Sequence, residues 1–568
     1  MSAAAGPAVL AAAVAARLEG WATERFAERL WARDGSLWAA SGKAPADLAA
    51  WLGWLDLPAT TPDRVGELER LAREVRADGY LRAAVLGMGG SSLAPELFSR
   101  VFGDPMGAAP GASGLELRIL DSTHPDAVRG FREWAETSRT IFCVSSKSGS
   151  TTEPNAFHAA MSAHAPALDF VAITDPGSAL ADLARSQGFR AIVDGQPDVG
   201  GRYSALSAFG LLPAALHGVD VEGLLAQARR MADACRLPAR DNPGLQLGAA
   251  MGEAARAGRD KLTIFTSLRL ASLGDWVEQL VAESTGKAGR GIVPIVHEPL
   301  RDAAAYGEDR IFVVITEADG QHDDIARLAS ELEGLGHPVT RITLSDPLEI
   351  GAEFVRWEVA TAAAGAILEI DPFDQPNVQE AKDATRNLLD AYRRDGALPQ
   401  PAPLVAEPGL AAYGDPATLG DNPVTVDGAL RTLFESAGEG DYVALLAYLP
   451  GETMGRLQGM RGMIGQRTGL ATTLGIGPRF LHSTGQLHKG GPPSGVFLQI
   501  TAEPQRDLPI PGWQESFGTL IAAQAAGDLA ALQQRGRRVL RLHLADAAAG
   551  LTRLEAMMHD TLVEPARA

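Results

Sequence analysis

Five short apolar runs, each ending in small or polar residues, dominate the stretch from residue 81 to residue 195: LRAAVLGMGGSS, LELRILDST, TIFCVSS, DFVAITDPG and RAIVDG. Amphipathic segments at helical spacing fill the intervals. Apolar runs of this length alternating with helices build a parallel sheet, because helices cover both of its faces. A second series, KLTIFTS, GIVPIV, DRIFVVITE and PVTRITLSD, repeats the rhythm. The predicted fold class is α/β, with two doubly wound, flavodoxin-like parallel-sheet units over residues 81–245 and 246–405. An N-terminal helical segment occupies 1–80 and a C-terminal α/β region occupies 406–568. The Pro-rich ALPQPAPLVAEPG reads as a linker.

At 568 residues the chain is too long for one core. It carries 51 Lys and Arg against 70 Asp and Glu, a net charge of −19 that repels polyanions. Nucleic-acid binding is therefore not expected. The one compact basic cluster, Arg535-Gly536-Arg537-Arg538, reads as a solvated turn. No apolar run reaches the roughly 18 residues of a membrane span, so no membrane partner is expected. Two cysteines, Cys143 and Cys235, are too few for a disulfide framework, and the expected compartment is the cytoplasm.

Ligands of open parallel sheets bind beyond the carboxyl ends of the strands. Three loops of the first unit qualify. Gly87-Met88-Gly89-Gly90-Ser91-Ser92 lacks the Gly-Lys-Ser ending of a P-loop, and tight strand-to-helix packing explains its glycines equally well. Ser145-Ser146-Lys147-Ser148-Gly149-Ser150-Thr151-Thr152-Glu153 opens a helix. Ser150 to Glu153 fits a capping box, but capping needs one hydroxyl and this loop has many. Amides at a helix start and added hydroxyl donors suit a phosphate. Gly200-Gly201-Arg202 places a cation after two glycines.

The second unit adds GDWVEQLVAESTGKAG, where Gln279 and Glu283 share a helix face. Ser284-Thr285-Gly286 reads as the C-cap. Glu283 then sits where the helix dipole disfavours negative charge, as suits a group that takes up a proton. Gln375 and Lys382 lie in DPFDQPNVQEAK, and His482 and His488 in LHSTGQLHKGGPP. The two histidines lack a carboxylate–histidine set in a zinc pattern, so no metal site is expected.

Taken together, LGMGGSSLAPE, VSSKSGSTTE, GGRYSALS, EQLVAESTGK and FDQPNVQEAK resemble the glycine-loop, sugar-phosphate, arginine, glutamate and lysine motifs of the glucose-6-phosphate isomerase family. The match runs from about Leu30 to Pro493. It is to the isomerase half of bifunctional transaldolase–isomerase chains, and too few residues precede Gly87 to hold a transaldolase barrel of roughly 250 residues. The resemblance implies two sugar isomerase (SIS) domains and an aldose–ketose isomerisation of glycolysis and gluconeogenesis, with a sugar phosphate as substrate and no cofactor. It implies that Glu283 is the base at C2, that Arg202 stabilises the enediolate, and that Lys382 and a histidine serve the ring oxygen and O1. Ser146, Lys147, Ser148 and Thr151 hold the phosphate. Gly90, Ser91 and Gln279 line the sugar, with Gln375 beside it. The family's histidine follows Gly-Gln ahead of the lysine motif; here STGQLHKGG follows that motif, and His488 is preferred over His482. The resemblance also implies a homodimer whose sites take a histidine from the partner. A dual phosphoglucose/phosphomannose isomerase and a non-catalytic SIS protein that only binds sugar phosphates are the rival readings.

Overall fold

The computed structural model describes residues 6–60, 62–103, 114–399, 401–419 and 423–563. Three sheets form the frame. The first is five-stranded and wholly parallel: β1 (Arg82–Leu86), β2 (Glu116–Leu120), β3 (Thr140–Ser145), β4 (Phe170–Thr174) and β5 (Ala191–Asp194), in the order β2-β1-β3-β4-β5. That is the flavodoxin-like order, with its switch point between β1 and β3. The second is also parallel: β6 (Lys261–Thr266), β7 (Val293–Val296), β8 (Arg310–Glu317) and β9 (Val339–Leu344), in the order β7-β6-β8-β9. Every strand of both sheets coincides with an apolar run of the sequence.

The third sheet is mixed. Its strands are β10 (Val405–Glu407), β11 (Leu410–Gly414), β12 (Tyr442–Tyr448), β13 (Ala471–Ile476), β14 (Gly495–Ala502) and β15 (Arg538–Leu544), in the order β10-β11-β15-β14-β12-β13. β12 to β15 are parallel, whereas β11 runs antiparallel to β15 and β10 antiparallel to β11. The segment expected as a linker is thus partly an edge strand. Two of its prolines, Pro403 and Pro408, flank β10 rather than interrupt it, which an edge tolerates.

One apolar core joins the N-terminal helices to the first two units, through Trp21, Trp38, Trp54, Trp276 and Trp357. A separate core fills one face of the third sheet. Another, with Val293 and Ile295 against Tyr442, Phe480 and Phe497, seals that sheet to the second unit. The basic cluster near the C-terminus turns at Arg535 and Gly536, which are exposed as expected, while Arg537 is buried and Arg538 half-buried. Arg535 pairs with Glu380, Arg538 with Asp441, and Arg537 donates to the carbonyls of Lys489 and Gly491. Cys143 and Cys235 are both buried free thiols, pushed up to about 12 by burial. Among the described residues no helix is long and apolar enough to cross a membrane, and no group of three or more His, Cys, Asp or Glu is set to hold a metal.

Candidate active site

Residues after β3 turn sharply at Gly149, whose φ of +68° is left-handed; a Cβ there would come 2.4 Å from the Leu180 amide nitrogen. Ser146 holds this turn: its Oγ accepts from the Gly149 amide (3.2 Å) and donates to Thr151 Oγ1 (3.2 Å). The helix begins at Thr152 with Thr151 as N-cap, and no side chain caps it. The expected capping box does not form, because Glu153 is drawn elsewhere. Ser148, Ser150, Thr151 and Thr152 line a cavity of about 420 Å³ at this helix start. Lys147 does not join them. Its ammonium pairs with Asp175 and donates to the carbonyls of Gln196 and Pro197, so it fastens the loop to the far side.

Glu153 faces the cavity instead of its own helix start. Its Oε1 lies 3.1 Å from His482 Nε2 and accepts from Gln524 Nε2 at 2.6 Å. Burial alone pushes Glu153 up; the charge and hydrogen bond of His482, with Lys382 nearby, outweigh it and hold the carboxyl below its usual range. His482, Lys382 and Gln524 all line the cavity. His482 belongs to the turn Arg479–His482 after β13, which Arg479 ties to Glu96 and Asp121 of the first unit. The cavity therefore receives its histidine from the same chain. Lys382 sits on the helix Pro376–Asp395, exposed in the cavity wall.

Glu283 is outside the cavity lining, on the last turn of the helix Ala271–Thr285, and is 8% exposed. Gln279, one turn earlier, donates to Glu283 Oε2 (3.1 Å) and to the carbonyl of His482 (2.7 Å). Arg202 Nη1 stands 3.7 Å from Glu283 Oε1. The guanidinium is locked by Ser284 Oγ, Gln375 Oε1 and the carbonyls of Pro372 and Asp374. Gly90 packs against the Gly201 carbonyl, so the first glycine loop abuts the arginine loop, with Ser91 half-buried beside it. Gly286 is the C-cap of this helix, as expected, at φ −76°. A glycine is needed there because Leu487 approaches: a Cβ would lie 2.3 Å from its Cα. Gln486 caps the open end by donating to the Gly286 carbonyl (2.9 Å).

The structure brings together Ser148, Thr151, Lys382 and His482 at the cavity, and Arg202, Gln279, Glu283 and Gln375 behind it. His488 is not brought in. It is 2% exposed among the rings of Tyr442, Phe480 and Phe497. Burial, Lys489 and Arg537 push it well below the usual histidine range, so it is a neutral core residue. Three polar residues escaped the sequence reading. Glu153 passed for a cap. Gln524 lies in a helix with no motif around it. Lys287 follows Gly286, bonds Asp374 and the carbonyls of Asp371 and Asp374, and is pushed down to about 8 by burial and by Arg202.

Two parallel sheets of flavodoxin-like order, with a hydroxyl-lined helix start at the first switch point, define the sugar isomerase class of α/β proteins. No family model matches the chain. A glucose-6-phosphate isomerase from Rubrobacter xylanophilus is 30% identical over 382 residues, covering 59% of this chain and 88% of the relative. One from a Synechococcus strain is 30% identical over 412 residues, covering 60% and 75%. Among solved structures, a glucose-6-phosphate isomerase from Chlamydia trachomatis superposes with a TM-score of 0.53 at 17% identity, covering 67% of this chain and 86% of its own. A hypothetical protein from Thermus thermophilus gives 0.53 at 24% identity, covering 66% and 98%. The chain belongs to the glucose-6-phosphate isomerase family.

Proposed function

We propose that this chain interconverts glucose 6-phosphate and fructose 6-phosphate through a cis-enediol. The observation that carries the reading is the juxtaposition of Glu283 and Arg202, 3.7 Å apart, with Gln279 joining Glu283 to the residue that lines the hydroxyl-rich cavity. A protein that only bound sugar phosphates would need the hydroxyls and the helix start, but not a carboxylate set against a locked guanidinium.

The phosphate docks on Ser148, Ser150, Thr151 and Thr152, where uncapped helix amides add partial positive charge. Lys382 supplies a full charge from the opposite wall. Remote binding of this kind positions a flexible sugar for proton transfer. His482, oriented by Glu153, moves the proton that opens the ring. Glu283 takes the proton from C2 of the open aldose while O1 gains one, which forms the enediol. The same carboxyl returns its proton to C1 as the O2 hydroxyl loses its own, which gives the ketose. Arg202, held by four hydrogen bonds, meets the developing negative oxygen with a charge that need not reorganise.

The site takes both its base and its histidine from one chain, so a homodimer is not required to complete it. His482→Ala is expected to lower kcat on the cyclic sugar by about 10²-fold, the usual scale for losing one general acid or base. His488→Ala should leave kcat within a few-fold and cost about 2–4 kcal/mol of stability, because it empties an aromatic pocket. Steady-state turnover of fructose 6-phosphate and denaturant melts of both variants check this. A folded, inactive His488→Ala beside a fully active His482→Ala would reverse the assignment. Running mannose 6-phosphate in the same assay separates this reading from a dual-specificity isomerase.

A further inference from the structure

The acceptor behind His482 is itself held by a residue 371 positions away. Gln524, on the helix Phe517–Gln534, is 3% exposed, and its Nε2 reaches Glu153 Oε1 at 2.6 Å. Its Oε1 accepts from the hydroxyl of Thr123 (2.7 Å), a fully buried residue in the loop after β2. A carboxylate can only accept and a hydroxyl can donate, so a single orientation of the Gln524 amide satisfies both neighbours. We propose that Gln524, oriented by Thr123, is a positioning residue for the isomerisation: its amide holds Glu153 in place as the carboxylate that orients the imidazole of His482. The proposal rests on the isomerase reading and adds to it a group from the C-terminal region.

Four elements converge on this carboxylate. The turn Arg479–His482 presents His482, and the helix Pro376–Asp395 presents Lys382. The helix Phe517–Gln534 and the loop after β2 contribute only neutral groups, Gln524 and Thr123. Further out in the same cavity stand Arg386, Asp390 and Arg393. A neutral donor fixes the carboxylate without competing with His482 for charge. Losing such a donor raises the proton affinity of a carboxyl, because a hydrogen bond to the charged form is lost. Placing a second carboxylate there has a different signature, since it keeps a donor only while protonated.

The test is the pH profile of kcat/KM for fructose 6-phosphate in the wild type, Gln524→Met, Gln524→Glu and Thr123→Val, with a carbon NMR titration of Glu153 in each. Gln524→Met keeps the volume and loses the donor. It should fall on the order of tenfold at acid pH, with its acid limb moved to higher pH and Glu153 titrating higher. Gln524→Glu should approach the wild type at low pH and fall as pH rises and the new carboxyl ionises. Thr123→Val should shift in the same direction as Gln524→Met, by less. The proposal is overturned if Gln524→Met keeps the wild-type profile, or if the Met and Glu variants superpose at every pH, which a purely structural role gives. If Gln524→Met does not fold, Thr123→Val decides on the same criteria. If the wild type itself fails to turn over the sugar, the isomerase reading fails, and an unmoved Glu153 titration in Gln524→Met or Thr123→Val overturns the relay separately.

Discussion

Glu283→Gln is expected to lower kcat by about 10³-fold with KM nearly unchanged. General-base catalysis accounts for roughly 10²–10⁴-fold in enzymes of this kind, and an amide cannot carry the proton from C2 to C1. Glutamine keeps the shape of the side chain. Arg202 keeps its bonds to Ser284, Gln375, Pro372 and Asp374, so the cationic half of the site should stay in place. Gln279 keeps its bond to the carbonyl of His482. The phosphate loop lies on another element and makes no contact that depends on Glu283, which is why binding should survive. Steady-state kinetics with the oxidation of glucose 6-phosphate as the coupled step gives both constants. A variant retaining near-full kcat would mean that another group moves the proton.

The largest effect on stability is expected from Glu298→Ala. Glu298 Oε2 accepts from Arg310 Nη1 at 2.9 Å, and Oε1 accepts from Arg310 Nη2, Arg301 Nη2, and the amide and hydroxyl of Thr472. Arg310 opens β8 and Thr472 lies in β13, so one carboxylate joins the second sheet to the third. Arg310 is 0% exposed. Removing Glu298 leaves a buried guanidinium with only Asp309 among the described residues, 3.9 Å from its Nε, as counter-charge, and breaking a buried pair costs about 3–5 kcal/mol. The charge of Arg310 and then Arg301 overcomes the burial of Glu298 and brings its carboxyl down to about 2. Because that lies below the unfolded value of about 4.3, the ion pair contributes fully above that pH. Its contribution fades as pH falls from there through about 2. Denaturant melts should therefore show a wild-type stability that drops across this window, and a Glu298→Ala curve that is lower and flatter. A loss under about 1 kcal/mol at pH 7 would contradict the account.

The parallel sheets were legible because each buried strand is a short apolar run that stops at a loop. The phosphate loop was legible because its hydroxyls exceed what a helix start needs. Direction was not. Lys147 stands inside the hydroxyl loop, yet Asp175 and two carbonyls turn it away. His482 and His488 are six residues apart in one glycine-rich stretch; the rings of Tyr442, Phe480 and Phe497 bury the second, and Glu153 takes the first. Those rings come from three separate segments, and no local pattern records the box they form.

The position of Glu283 has a similar cause. Its helix follows β6 and runs back against it, so its last turn lies at the amino edge of the second sheet. Thr285 Oγ1 there accepts from the Ile292 amide at 2.9 Å, just ahead of β7. The site thus joins the carboxyl end of one sheet to the amino end of the other. The contact between Glu153 and His482 spans 329 residues and depends on how the third sheet seats against the first. Glu153 looked like a cap because its sequence neighbours are those of a cap; its true partners arrive from the C-terminal region.

Proton NMR of the purified chain with fructose 6-phosphate, and separately with glucose 6-phosphate carrying deuterium at C2, reads the isomerisation itself. Isomerisation through the enediol predicts that both sugars reach the same equilibrium mixture and that deuterium at C2 slows the forward reaction. It is contradicted if calorimetry shows the sugar phosphate bound while neither sugar converts into the other.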